Sequence, residues 1–322
     1  MNPHRDSGIP APNHTLVMQE LPGLLAPGDL TTFRWDGWRG FFINLDRSTD
    51  RRVAMEQQLA APGFAGRYER FPALSADVAE AQKRGLRTAG ELGIWRSTLA
   101  VLERIIHCGD QPELWHVCED DVELNPMLPL WLERLAVSAQ VGWDALFTDS
   151  YVVPVVYRQA IALLRSRNDR DDLRLVGNPF YRAGLTSYVM RPEGAKSIHE
   201  AMTEVYRSGD RLVPVDLALR GLIEGGRISV AVTLPFLSSP SLARSSTIQI
   251  QEGGDSLRRR SVYMDLFIRR ALYVSELDCS VDQGIYDMFY EHLLKDYVLE
   301  ERQEIIVSVV ELLQNRGYKL VY

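Results

Sequence analysis

Along the middle of the chain, short apolar runs alternate with stretches in which apolar positions recur every three or four residues, a pattern that predicts an α/β fold. Phe41-Phe42-Ile43-Asn44-Leu45 has the length and composition of a buried parallel strand. A helix is expected to follow, with Ser48 or Thr49 as its cap, Asp50 at its positive end and Val53, Met55 and Leu59 as an inner face. A second helix is expected from Thr88 to about Cys108, because Thr88 and Glu91 have capping-box spacing. Leu92, Trp95, Leu99, Leu102 and Ile106 give it one apolar face. Leu114-Trp115-His116-Val117-Cys118 reads as another core strand, which ends in Glu119-Asp120-Asp121. Trp143 to Thr148 and Thr186 to Met190 read as further strands, Pro192 opens a helix, and Arg227 to Leu234 closes the series.

The same pattern divides the chain. Residues 1–39 carry many Pro and Gly without a sustained period and are expected to form a loosely ordered arm. Residues 40–252 hold the alternating strands and helices. Residues 253–322 turn helical, with Ile305, Ile306, Val309, Val310 and Leu313 on one stripe, and are expected to form a helical C-terminal appendage. That stripe either covers its own domain or makes a homodimer contact. Arg165 to Arg174, rich in Arg, Asp and Asn, is expected to be an exposed insertion.

Composition narrows the function. The chain has 322 residues, 46% of them hydrophobic and 25% charged, which is ordinary globular composition. A net charge of −7 argues against nucleic acid or anionic lipid as partner. Cys108, Cys118 and Cys279 are too sparse for a disulfide framework or a paired-ligand zinc site, and no segment suits a leader or a membrane span. A cytoplasmic location is therefore expected. His116, set inside an apolar strand, reads as a satisfied core residue rather than a ligand.

The candidate chemistry lies at strand ends, where open α/β sheets bind ligands. Glu119, Asp120 and Asp121 either share a divalent, oxygen-seeking cation, Mn2+ or Mg2+, or cap a turn and face water. Strand alternation would point Glu119 and Asp121 to one side and Asp120 to the other. Beyond the first strand, Arg47, Arg51 and Arg52 could pair with phosphate, or could line a solvated helix face with Asp50 and Glu56.

Taken in order, FFINLDRSTDRRVAMEQQL, RYERFPALSA, GELGIWRSTLAVLERI and HVCEDDVELNP resemble segments of glycosyltransferase family 25, the lipopolysaccharide-biosynthesis and collagen-type galactosyl- and glucosyltransferases. TSYVMRPEGAKSI, LVPVDLALRGL and SSPSLARSSTI extend the resemblance, which covers about Gly40 to Ile248. It implies a GT-A-like single Rossmann-type domain with a mostly parallel sheet. It also implies a UDP-galactose or UDP-glucose donor, a glycan or protein acceptor, and usually a divalent metal. Ile94 and Thr98 stand where the family motif has Cys and His, and Thr98 cannot act as an imidazole.

Carried over by motif, Asn44, Leu45 and Arg47 border the nucleotide, with Arg51 or Arg52 near base or phosphate. Asp121 is the first metal ligand and Glu119 the second, while Asp120 turns to ribose or structure. Glu91 and Ser97 fall in the donor-site helix motif, although capping alone would account for Glu91. Inverting transfer needs a base, for which Asp216 is the candidate; helix capping is its alternative role, with Asp149 and Asp144 in reserve. Ser245 and Ser246 could close over a diphosphate or be plain loop residues. Two other functions stay open: a catalytically weak nucleotide-sugar-binding protein, motivated by Thr98, and a metal-dependent phosphoryl hydrolase, which would need a second ligand cluster.

Overall fold

A computed structural model describes residues 18–19, 37–108, 112–137, 142–151, 160, 173–208, 211–241, 269–270 and 272–273. Ser245, Ser246, Cys279, most of the 165–174 segment and the helical stripe at 305–313 lie outside the described residues, as does any dimer contact there. Among the described residues no helix is long and apolar enough to cross a membrane.

The chain builds one mixed sheet from β1 (Met18–Gln19), β2 (Trp38–Asn44), β3 (Tyr68–Pro72), β4 (Leu114–Glu119), β6 (Ala145–Phe147), β7 (Arg174–Val176), β8 (Ser187–Met190) and β9 (Val230–Leu234). Their order is β1-β7-β9-β6-β8-β4-β2-β3. Only β7 and β8 run against the rest, so the sheet is mostly parallel, as the alternating pattern predicts. A separate ribbon pairs β5 (Val122–Leu124) with β10 (Ser238–Pro240).

Helices cover both faces. The helices α1 (Thr49–Leu59) and α4 (Leu128–Val137) pack Met55, Leu59, Leu128, Leu132 and Leu135 on Phe42, Cys118, Leu146 and Val189. On the other face lie α2 (Val78–Lys83), α3 (Ala89–Ile106), α5 (Pro192–Arg207) and α6 (Val215–Glu224). There Trp95, Leu102, Ile198 and Leu219 bury against Phe41, Val117, Phe147 and Tyr188. Strands β2, β3, β4 and β6 all end on one edge, with β8 starting beside them.

Local chemistry explains the boundaries. Thr88 Oγ1 accepts from Glu91 N at 3.1 Å, and the Glu91 carboxylate accepts from Arg87 N at 2.7 Å, so the capping pair is formed with the Glu reaching one residue further back. Three details differ from the sequence pattern. Ser48 occupies the cap position of α1 without a side-chain cap bond. Val53 is 51% exposed, because two residues before Met55 is the opposite side of a helix. Leu99 and Ile106 are only half-buried, whereas Ser97 and Thr98 are fully covered, because α3 is packed against α2 and α5 as well as the sheet.

Residues beyond the sheet's last strand return to it. Phe236 N donates to Leu272 O at 2.8 Å, and Leu272 and Tyr273 are buried in the core. The chain around 269–273 is therefore packed on the α/β sheet itself.

Candidate active site

Five segments separate in sequence meet at the shared strand edge around a cavity of ≈ 440 Å³. Its lining comes from the end of β2 and start of α1 (Ile43, Leu45, Arg47, Arg51), the turn after β3 (Ala73 to Ala76) and α3 (Gly90, Gly93, Ile94, Ser97, Thr98). The end of β4 adds Glu119 and Asp120, and β8 with its approach adds Leu185 and Tyr188. A volume of this order suits a small organic ligand.

The cavity's shape is set by close contacts. Ser97 Oγ donates to Gly93 O and accepts from Leu74 N, each at 2.8 Å, which pins the turn after β3 to α3. Gly93 is required there, since a Cβ would lie 2.7 Å from Leu74 O.

The acidic run breaks strand alternation. β4 ends at Glu119, and Asp120 and Asp121 form the turn into β5, so alternation does not extend to them. Asp120, expected to turn away, lines the cavity with Glu119, and Asp121 is not among the lining residues. Asp120 is buried and held by Asn44 Nδ2 at 2.6 Å and Arg51 at 3.0 Å. Arg51 also reaches Asp121 Oδ2 at 3.2 Å, and Asp121 O accepts from Ser241 N at 2.6 Å.

Asn44 is itself buried and committed: Oδ1 accepts from Arg70 Nε at 2.9 Å, and Nδ2 also donates to Ser48 O at 3.0 Å. It fixes Asp120 rather than lining the cavity. The two neighbouring arginines divide. Arg51 grips the acidic turn, whereas Arg52 forms an exposed pair with Glu56 at 2.7 Å. Arg47 lines the cavity, exposed and without a partner among the described residues. Glu91 serves the helix start and does not line the cavity.

Burial and crowding push the Glu119 carboxyl up to about 8, with Asp121 and Asp120 adding to the effect. Burial likewise raises Asp121, against the pull of Arg51. Among the described residues, no three His, Cys, Asp or Glu side chains assemble into a metal cage. The donor chemistry still suits a hard cation: Glu119 and Asp121 offer carboxylate oxygens, with Asp121 raising the Glu119 carboxyl, and oxygens of a bound substrate could complete the shell.

Asp149, one of the reserve bases, is buried and paired with Arg269, whose Nε donates to Oδ1 at 2.8 Å and whose Nη2 reaches Oδ2. Arg269 also donates to Thr186 Oγ1 at 2.9 Å and lies 4.7 Å over the Tyr151 ring. Its charge reaches Glu119 and Asp121. Arg270 pairs with Glu123 at 2.6 Å on the other side of the acidic turn. No local spacing in the sequence encodes this clamp, whose Arg269–Asp149 contact spans 120 residues. Asp144 accepts from Ser229 N at 2.8 Å, a structural bond. Asp216 sits in the first turn of α6 rather than at its cap. It accepts from Leu217 N at 2.9 Å, acts electrostatically on Tyr181, and is not among the cavity-lining residues.

No family model matches the chain, and no curated protein matches it. Among solved structures it is similar to the galactosyltransferase LgtC in complex with donor and acceptor sugar analogues, at 15% identity over 83% of this chain and 99% of that chain, with a TM-score of 0.34. At that level, what the chain does has to be argued from its own residues.

Proposed function

We propose that this protein is a family-25-type glycosyltransferase that binds a nucleoside diphosphate sugar in the cavity and transfers its hexose to a hydroxyl of a glycan or protein. One observation carries the reading. Four of the segments that resemble the family are separate in sequence, and parts of each, within 43–51, 73–76, 90–98 and 119–120, border a single cavity at the sheet's carboxyl edge. An apolar wall of Ile43, Leu74, Ala76, Ile94 and Leu185 suits a base, and the free Arg47 guanidinium suits a diphosphate.

In the reaction, the acceptor oxygen forms a bond to the anomeric carbon as the bond from that carbon to the diphosphate breaks. The acceptor proton passes to a base, and the nucleoside diphosphate leaves with the electron pair. Asp121 and Glu119 are the side chains that would hold Mn2+ or Mg2+. Bound there, the cation would neutralise charge on the diphosphate. Asn44 and Arg51 fix Asp120 and the turn, so the carboxylates are positioned before ligand arrives. Asp216 remains the proposed base, reached on this reading by the bound acceptor.

The test is binding of UDP and turnover of UDP-galactose and UDP-glucose, each with and without Mn2+. A folded sample that binds no UDP under either condition refutes the proposal. A second reading, a nucleotide-sugar-binding protein without turnover, is favoured by Thr98 and by the position of Asp216 outside the cavity lining. UDP binding without any transfer or donor hydrolysis would select it.

A further inference from the structure

On the face of the sheet beneath α3, three polar residues line the cavity beside the apolar Ile43, Ile94 and Leu185. Tyr188 on β8 is 2% exposed and Thr98 on α3 is 5% exposed. Both line the cavity, and neither hydroxyl has a hydrogen-bond partner among the described residues. Glu119 lines the same cavity, and its carboxylate likewise has no hydrogen bond or ion pair there.

The sheet register explains why they meet. Val117 lies opposite Tyr188, and Glu119 N bonds Thr186 O, so Tyr188 and Glu119 are diagonal neighbours on one face. Ile43 lies opposite Glu119 on β2 and completes the floor. Thr98 follows Ile94 by one turn of α3, and both line the cavity. Both hydroxyls face the cavity rather than the packed interior, so a ligand that displaces their water must supply the bonds that water made. The other covered hydroxyls nearby are spent: Ser97 bonds Gly93 and Leu74, and Ser187 bonds His116 and Thr148.

We propose that Tyr188 and Thr98 are specificity-determining residues that donate to an oxygen of the bound nucleotide. This rests on the nucleotide-sugar reading above, in which Glu119 is kept for the cation. Two parts of a uridine diphosphate offer such an oxygen apart from the diphosphate: the carbonyls of the base and the ribose diol. A purely apolar or purely anionic ligand offers neither.

The experiment compares Tyr188→Phe and Thr98→Val with the wild type in calorimetric titrations of UDP, 2′,3′-dideoxy-UDP and inorganic pyrophosphate, alongside thermal melts without ligand. Each variant should lose roughly 2- to 12-fold in UDP affinity, the range of one neutral hydrogen bond. The loss should be absent against pyrophosphate, which has neither base nor ribose; it should vanish against 2′,3′-dideoxy-UDP if a ribose oxygen is read and persist there if a base carbonyl is read. The unliganded melting temperature should stay level or rise in Tyr188→Phe, because no internal bond is removed. A wild type that binds UDP while both variants bind it equally well overturns the inference and leaves the nucleotide-sugar reading standing. A loss equally large against pyrophosphate, or a Tyr188→Phe melt lowered by several degrees, also overturns it. A folded wild type that binds no UDP overturns both.

Discussion

Removing either partner of the Arg269–Asp149 pair should destabilise the protein more than any surface change, and removing both should restore much of the loss. Arg269 is 2% exposed and Asp149 is 1% exposed, and they are joined by a two-point guanidinium–carboxylate contact. Arg269 also serves Thr186 and stacks on Tyr151. Asp149→Asn or Arg269→Met leaves an uncompensated buried charge, at about 3–5 kcal/mol for a fully buried pair. At roughly 2–4 °C per kcal/mol for a domain of this size, the melting temperature should fall by about 6–20 °C. The double variant replaces both charges and should recover most of that difference, because desolvating two ions offsets much of their attraction. Urea denaturation of the wild type, the two single variants and the double variant gives the coupling directly. A single variant costing under about 1 kcal/mol, or a double variant showing the simple sum of the two losses, would refute the assignment of residues 269, 270, 272 and 273 to the packed core.

Other outcomes follow from the same contacts. Asp121→Asn should lower Mn2+-dependent transfer by more than about 100-fold, whereas Asn44→Ala, which acts through Asp120, should cost about 10- to 100-fold; equal and small effects in a steady-state assay would contradict the roles given to both. His116 is fully buried between Tyr68 and Ser187, at 2.6 and 2.8 Å, and burial pulls its pKa down to about 3. The unfolded chain therefore binds the extra proton first, so this stabilisation is complete above pH 6.5 and is lost as pH falls toward 3, by about 1.4 kcal/mol per pH unit; urea midpoints for wild type and His116→Gln should converge across that window. Gly194→Ala places a Cβ 2.1 Å from the backbone oxygen of Asp144 and should cost about 1–3 kcal/mol in the same denaturation assay.

The parts of the fold that were legible in the sequence are those governed by local chemistry. Thr88 and Glu91 mark the start of α3 because a capping pair is made within four residues. The apolar runs mark β2 and β4 because strands covered on both faces carry little else. The acidic run could be placed at a strand end but not oriented, since alternation holds only while the chain is extended and the chain turns at Asp120. Which arginine faces the site was readable in principle: Arg51 stands four residues before buried Met55, and Arg52 four before exposed Glu56. Tyr188 falls within a segment that carries the family resemblance, yet its unpartnered hydroxyl is a property of packing alone. Arg269 left no trace, because its contact with Asp149 spans 120 residues and no period or spacing encodes such a pair.

The charge balance around the acidic turn constrains what must enter with a ligand. There Glu119, Asp120, Asp121 and Asp149 are met by Arg51 and Arg269, while the exposed Arg47 lines the same cavity. A diphosphate that reached past Arg47 toward those carboxylates would be repelled unless a proton or a cation accompanied it. With no cation the first course is open to Glu119, whose carboxyl is pushed up to about 8 by burial and by the neighbouring Asp121 and Asp120. A divalent cation shared with Asp121 would displace that proton, so Mn2+ binding near pH 7 should release about one proton. Titrations of Mn2+ into the protein with UDP, run in two buffers of different ionisation enthalpy, measure that number. The release should shrink as pH rises through 8, where Glu119 loses its proton unaided, and should be abolished in Glu119→Gln. Mn2+ binding with no proton release at pH 7 would mean that the cation does not sit at Glu119, and the metal role would then fall to Asp121 without it.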